Sequence, residues 1–268
     1  MQSGFEPVWE VCVHILDDPT GLSERAQDLL ARTGWREPDS SPRLATDFLR
    51  VRDRTGFWIP APMKLVIRRE AFAARFGGLR YVVRQNVALP GVVREVQRRW
   101  DFDLRCRMRR DEWGWYFDFV GEHVSSPVAY AVHTDGRVGV TIGEPFMEIA
   151  PSVYHLIESH AVLDQVASWQ SGFVQAAGSD WVALVDRLDG LSEVAEASGP
   201  CARWLLGENV AIRDVLSYPS EGARARHVAV WVRNEHGLNQ VEAALAQASP
   251  VTAAEGDPGD RRRSRVYW

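Results

Sequence analysis

Three histidines in the middle of the chain are the residues best suited to acid–base chemistry. His123, His133 and His155 have carboxylates near them in the sequence, and an imidazole oriented by a carboxylate can transfer protons near neutral pH. Such groups are typical of hydrolases, so one hypothesis is an enzyme with a dispersed histidine–carboxylate site. This hypothesis requires the fold to bring the three imidazoles into one cleft.

The sequence evidence for a metal site in the same region is weak. His155 and Glu158 are three residues apart in a predicted helix and would share a face, whereas His155 and His160 are five apart and would point to different faces. Two ligands on one helix without a third are most often surface polar residues. We therefore expect no bound metal and no cofactor.

Familiar catalytic motifs are missing from the sequence. The single lysine, Lys64, follows a methionine, so there is no P-loop, and there is no G-x-S-x-G nucleophile turn. Cys12, Cys106 and Cys201 lie outside any CxxC pair, which is typical of a reducing cytoplasm. No apolar run is long enough to span a membrane. We expect a cytoplasmic protein with no membrane partner.

Charge is distributed unevenly along the 268 residues. Residues 43–110 contain seventeen basic against six acidic residues, and residues 111–200 contain fourteen acidic against two basic residues. Such a division can produce a basic face and an acidic face, one of which binds a partner. The alternative is two solvated surfaces whose charges partly pair within the fold.

The segment from Arg98 to Phe117 interleaves arginines with aromatic residues, among them Trp100 and Phe102. Phosphate neutralisation and base stacking use these residue types, so an arginine-rich nucleic-acid adaptor is a further alternative. However, Asp101 and Asp103 dilute the positive charge, and alternating aromatic residues are also typical of a half-buried strand. Nucleic acid is therefore not the expected partner.

The first 172 residues have the pattern of an α+β domain. Ser23 is a good N-cap for a helix over SERAQDLLARTGW, and a second helix is predicted over 62–76, followed by a strand over 79–84. Asp135-Gly136 lies between two short strands and predicts a hairpin. An amphipathic helix is predicted to begin near Pro151.

The remaining residues, 173–268, predict an accessory α+β region. Helices are expected over 181–188, 191–206 and 238–248, and strands over 212–217 and 227–233, with a mobile tail near 249–265. The predicted fold class is α+β: a central, mostly antiparallel sheet with helices packed on one side, plus a smaller α/β C-terminal region.

Several segments together resemble the SUKH superfamily of bacterial α+β proteins. The match covers about residues 23–170: SERAQDLLARTGW, REAFAARFGGLRYVV, the YAVHTDGRVGV hairpin and the helix in EIAPSVYHLIESHAVLDQ. The Ile149-Ala150-Pro151-Ser152 segment departs from the family pattern by a proline. The resemblance implies an immunity protein that binds and neutralises a polymorphic toxin enzyme, and it implies no catalytic residues.

A non-catalytic protein-binding module is therefore the leading hypothesis. A toxin that is a nuclease has a basic cleft, to which an acidic surface would be complementary. Exposed aromatic residues would serve as anchors at such an interface. The expected partner-binding residues are Glu144, Glu148, Glu158, Tyr154, Trp113 and Trp115.

Overall fold

The structure is a computed structural model, and its described residues form two main antiparallel sheets, a two-stranded sheet and several helices. The described residues are 13–37, 50–52, 55–89, 92–110, 112, 114–123, 128–141, 146–174, 185, 187–217, 225–248 and 266–267. In chain order the elements are α1 (Glu24–Thr33), β1 (Trp35–Arg36), β2 (Arg50–Arg52), β3 (Trp58–Pro60), α2 (Met63–Phe76), β4 (Leu79–Leu89), β5 (Val92–Arg110), β6 (Trp115–Glu122), β7 (Ala129–His133), β8 (Val138–Thr141), β9 (Phe146–Ala150), α3 (Val153–Val166), β10 (Gln170–Val174), β11 (Ser192–Glu193), a 3-10 helix (Ala195–Ala197), β12 (Ala202–Leu206), β13 (Val210–Ser217), β14 (Ala225–Val232), α4 (Glu235–Ala248) and β15 (Val266–Tyr267).

The first sheet has the strand order β1-β4-β5-β6-β7-β8-β9, so the chain runs as a meander from β4 to β9. The predicted hairpin is confirmed, because β7 and β8 pair on either side of Asp135-Gly136. Gly136 has a φ of 104°, a left-handed conformation that glycine adopts without steric cost. Local turn chemistry therefore sets the register of this half of the sheet.

Helices α1, α2 and α3 pack on one face of the first sheet, as the sequence predicts. Ser23 caps α1 by accepting a hydrogen bond from the backbone N–H of Ala26. Helix α2 buries Leu65, Phe72 and Phe76, which are spaced along one helical face. Phe72 stacks on the sheet, and its ring centroid lies 5.5 Å from that of Phe119.

Helix α3 lies inside the molecule, with eleven of its fourteen residues buried. On one side the hydroxyl of Tyr81 in β4 is 2.7 Å from Nδ1 of His160. On another side the indole N–H of Trp204 in β12 donates to Oγ of Ser159, 2.8 Å away. A helix buried on nearly all sides belongs to the core rather than to the surface, and α3 therefore separates the first sheet from the second.

The second sheet has the order β11-β12-β13-β14-β10-β15. Its face away from α3 is covered by α4, where Val241 and Ala244 pack with Ile212 and Val230. The other face contributes Trp204, Ala211 and Trp231 to the core cluster that also contains the first sheet's residues. The predicted boundary at residue 172 falls within β10, which pairs with β14.

The helix predicted over 191–206 is wrong. The structure has β11, a 3-10 helix and β12 in this range. Gly199 and Pro200 interrupt the segment, because proline disfavours a helical conformation in the residue before it. The helix predicted over 181–188 lies mostly outside the described residues, and the tail near 249–265 lies wholly outside them.

The arginine-rich and aromatic segment from Arg98 onward forms most of β5, and its alternation follows the two faces of the sheet. Trp100 and Phe102 are buried in the core. On the opposite face, Arg80 contacts both Asp101 and Asp103 at 2.9 Å. Trp100 and Phe102 therefore pack inside the protein, where they are not available to stack on bases.

Candidate functional site

The three histidines of the hydrolase hypothesis lie apart from one another. His133 pairs with Tyr116 across β6 and β7, and His123 is seven residues farther along the chain from Tyr116. At about 3.3 Å per residue this separates the two histidines by roughly 20 Å. His155 is on α3, where its Nδ1 lies 2.8 Å from Oγ of Ser152. The fold does not assemble the site that this hypothesis requires.

Each of these histidines has its own local partner. His123 lies 3.2 Å from Oδ2 of Asp101, and His133 lies 2.9 Å from Oδ1 of Asp135. Within the part of the chain that the structure describes, no three His, Cys, Asp or Glu side chains could hold one metal ion. The imidazole–carboxylate contacts are therefore separate pairs on the first sheet.

The predicted acidic residues do not form one surface. Glu158 is only 2% exposed, and its carboxylate accepts hydrogen bonds from the backbone N–H and the hydroxyl of Ser23. Glu148 is half-buried and pairs with Arg137 at 3.1 Å. Glu144 lies outside the described residues. Glu158 is therefore a structural residue of the helix layer, and its burial removes it from any docking surface.

Two of the three predicted aromatic anchors are described, and both are half-buried. The hydroxyl of Tyr154 accepts a hydrogen bond from Nε of Arg75, 2.8 Å away. Trp115 packs against the core, and the guanidinium of Arg110 lies 5.5 Å from its ring centroid. Trp113 lies outside the described residues. Of these aromatic residues, Tyr154 lines a surface groove.

Exposed apolar side chains lie on the N-terminal half of α2 and on the segment that leads into it. The exposed fractions are 72% for Phe57, 53% for Trp58, 71% for Met63 and 61% for Ile67. Met63 and Ile67 are one turn apart on α2, and they lie off the face that carries Leu65 into the core. We call these four residues the α2 patch. In the sequence, Met63 and Ile67 form an apolar pair at i, i+4 spacing that lies off the helical face of Leu65, and such a pair can indicate an exposed apolar surface.

A groove of about 700 Å³ lies beside the α2 patch. It runs between α2, the Asp135-Gly136 turn and the first residues of α3, and its walls include Arg68, Ala71 and Tyr154. Nε of Arg68 donates to the carbonyl oxygen of Thr134 at 3.2 Å. The outer side of α2 therefore lies between an apolar patch and a groove whose walls carry Arg68 and Arg75 as well as the carboxylates of Asp18 and Asp135.

Cationic side chains surround the patch and the groove. The guanidinium of Arg52 lies 5.0 Å from the ring centroid of Trp58, and Arg75 is held by the carbonyl oxygen of Val13 at 2.7 Å. Among the described residues, none of the five cations at this surface forms an ion pair with a carboxylate. They are Arg50, Arg52, Lys64, Arg68 and Arg75.

No family model, no curated protein and no solved structure matches this chain. None of the helices that the structure describes combines the length and the apolar character that a membrane crossing needs. The structure thus defines a mixed α+β protein of two antiparallel sheets. Its candidate functional site is the α2 patch with its cationic surround.

Proposed function

We propose that this protein is a protein-binding module that docks a partner through the α2 patch. The observation that carries the proposal is the exposure of Met63 and Ile67 on the N-terminal half of α2 and of Phe57 and Trp58 on the segment that leads into it. Exposed apolar patches with a polar rim mark interaction sites, and aromatic residues and methionine are enriched in interface cores. The partner would present an apolar surface of matching shape.

The positive side chains around the α2 patch indicate which charges the partner would carry around its apolar contact area. Lys64 and Arg68 form no ion pair with a described carboxylate, and we infer that they are available to a carboxylate on another molecule. We infer a partner whose apolar contact area is ringed by aspartate and glutamate. This places the interface on the basic part of the chain, whereas the sequence favoured the acidic part.

The immunity role is the specific form of this proposal. In that form the partner is a toxin enzyme domain in the same cytoplasm, which the module neutralises by covering its functional surface. A basic docking surface is complementary to an acidic toxin surface and repels a basic nuclease cleft. The proposal is therefore made for a toxin with an acidic docking face.

The side chains of the patch favour a protein over a nucleic acid. Met63 and Ile67 are aliphatic and offer no flat ring for base stacking. The ring of Trp58 is already covered on one face by Arg52. Phe57 is the remaining aromatic residue of the patch. Trp100, from the arginine-rich segment, is buried and cannot add a second stacking surface.

The test compares capture by the full chain with capture by Ile67→Asp. Ala243→Asp is the matched control, because Ala243 is exposed on α4 at the far side of the second sheet. Nuclease-treated lysate of the source cell is passed over the three baits, and a protein retained by the wild type and the control but lost with Ile67→Asp is identified. That protein is then purified and its affinity is measured by calorimetry.

We expect an acidic-faced protein that binds one to one, with an affinity at least about tenfold lower for Ile67→Asp. Circular dichroism must show that Ile67→Asp is folded. Equal affinity for the variant and the wild type would overturn the proposal, as would capture from a parallel untreated lysate that is absent from the nuclease-treated lysate. Dimerisation of the purified wild type that is lost in Ile67→Asp would assign the patch to a second copy of this chain instead.

A further inference from the structure

A second cavity, of about 410 Å³, lies between the first sheet, α3 and the second sheet. Its wall is mostly apolar and includes Val83, Trp100, Leu156, Leu163 and Val215. A few polar side chains interrupt this wall. Pockets that bind small molecules have this composition and this size. The cavity is distinct from the α2 patch and is not used by the proposed docking.

Arg213 in β13 carries a charge into this cavity. Its Nε atom is buried and has no hydrogen-bond partner among the described residues. Its guanidinium lies 5.5 Å from the ring centroid of Trp204. Burial lowers the pKa of Arg213 to about 10, and no carboxylate of the described residues offsets this effect. The side chain is half-buried and still charged at neutral pH, and a charge partly withdrawn from water without a counter-ion among the described residues is costly.

Neighbouring groups do not supply the missing anion. Glu122 also lines the cavity, but its carboxylate is engaged by Arg98 at 3.4 Å and by the hydroxyl of Tyr130 at 3.3 Å. Asp214 follows Arg213 in the strand and therefore points to the opposite face of the sheet. Within the described residues, the guanidinium of Arg213 faces the cavity without an acidic partner.

Three further polar side chains of the wall, those of Ser159, His160 and Ser198, carry no charge at neutral pH. Burial, and next the charge of Arg213, lower the pKa of His160 to about 3, so its imidazole is uncharged at neutral pH. Ser159 and Ser198 each accept a hydrogen bond from Trp204. Each serine hydroxyl keeps its proton for a further acceptor. Among the described lining residues, Arg213 is therefore the one arginine or lysine, and the hydroxyls of Ser159 and Ser198 are neutral donors.

We propose that this cavity binds a small monocarboxylate with an apolar body, and that Arg213 is the anchor for its carboxylate. A guanidinium binds a carboxylate through two parallel hydrogen bonds. One permanent cation balances one negative charge, so a phosphate dianion would leave a charge unpaired. The apolar wall accommodates a short alkyl chain or an aromatic ring.

The test uses the purified full chain and needs no protein partner, so its outcome is independent of the docking proposal. Hexanoate, octanoate and benzoate are titrated below their micelle concentrations and compared with 1-hexanol, 1-octanol and benzyl alcohol. Tryptophan fluorescence is the readout, because Trp100 lines the cavity and Trp204 lies beneath Arg213. Calorimetry supplies the stoichiometry.

We expect one site per chain, with at least one acid binding about tenfold more tightly than its alcohol, the factor that a charge-assisted hydrogen bond supplies. Arg213→Gln should bring the acid and the alcohol to within about twofold of each other. Arg203→Gln is the matched control, since Arg203 is exposed on β12 and pairs with Glu193. This control should keep the preference of the wild type.

Ala202→Leu provides a second variant that keeps the arginine and fills part of the cavity, whose wall includes Ala202. It should weaken binding of the acid and of the alcohol alike. The proposal is overturned if no acid binds more tightly than its matched alcohol. It is also overturned if folded Arg213→Gln retains the preference for the acid.

Discussion

The carboxylate of Glu158 on α3 binds Ser23, the residue that caps α1, through both the backbone N–H and the hydroxyl of that serine. The two residues are 135 positions apart. The hydroxyl of Ser23 can donate to Glu158 while its oxygen accepts from the backbone N–H of Ala26. A buried negative charge thus lies at the N-terminus of α1, where the helix dipole favours it.

Replacing this charge tests its structural role. In Glu158→Gln one acceptor oxygen and the negative charge are lost, so we expect the free energy of unfolding to fall by about 1 to 3 kcal/mol. Urea denaturation followed by circular dichroism measures this change. Glu193→Gln, at an exposed pair with Arg203, is the control and should cost less than about 1 kcal/mol. A fully stable Glu158→Gln protein would contradict the prediction.

A second buried carboxylate, Asp164, joins three elements. It binds Arg32 of α1 at 2.7 Å and Arg84 of β4 at 3.0 Å. We expect Asp164→Asn to lower the free energy of unfolding by about 2 to 3 kcal/mol, because hydrogen bonds to a charged group are lost in a buried site. Chemical denaturation at pH 7 measures the loss. An unchanged denaturation midpoint would show that the two arginines contribute nothing there.

The same carboxylate gives a pH dependence in acid. Burial raises the pKa of Asp164, but hydrogen bonds from Arg84 and then Arg32 lower it. Their combined effect is the larger, so the pKa lies below its ordinary value of 3.8. Its stabilising contribution is complete above that value and is lost as the pH falls through the lower, folded-state pKa. The stability difference between wild type and Asp164→Asn should therefore shrink in strong acid.

His160 gives a second pH dependence of stability, at milder pH, in which the unfolded chain gains a positive charge that the folded chain does not. Its folded-state pKa of about 3 is below the ordinary value of 6.5, so the unfolded chain binds a proton that the folded chain rejects between these values. Wild type should lose about 1.4 kcal/mol per pH unit below 6.5 relative to His160→Gln. Glutamine keeps an acceptor for Tyr81 and does not titrate. Parallel stability curves for the two proteins would contradict this prediction.

The bond between Ser159 and Trp204 tests whether the two sheets unfold together. In Ser159→Ala the buried indole N–H of Trp204 loses its partner, 2.8 Å away, and this should cost about 1 to 3 kcal/mol. Because the core spans both sheets, circular dichroism and tryptophan fluorescence should report one shared transition. Ser192→Ala, at an exposed serine, is the control. Two separate transitions would instead support independent units divided near residue 172.

The parts of the fold that depend on neighbouring residues were predictable from the sequence. The cap at Ser23, the helix over 63–76 and the Asp135-Gly136 hairpin are each encoded within a few positions. The segment 191–206, for which a helix is predicted, is an exception. Its strands are fixed by pairing, since β12 pairs with β13 across a short turn and β11 pairs with β12, and spacing within the segment does not report this pairing.

The candidate sites depended still more on long-range packing. Glu158 has the sequence context of a surface residue on an amphipathic helix, and only the placement of α1 beside α3 explains its burial. Arg213 lies in an ordinary strand pattern, and its significance comes from the cavity that α3 leaves against the second sheet. Spacing along the chain carries no information about either arrangement.

The burial of α3 between the sheets also affects how this chain can diverge. A helix on a surface absorbs substitutions on its solvent side, but α3 has almost no such side. A change of volume at Ile157 or Val162, both fully buried, has to be absorbed by a neighbouring sheet, since interiors are close-packed. Drift in α3 is therefore tied to compensating drift in both sheets, and distant relatives should keep its total side-chain volume while their loops lose all similarity.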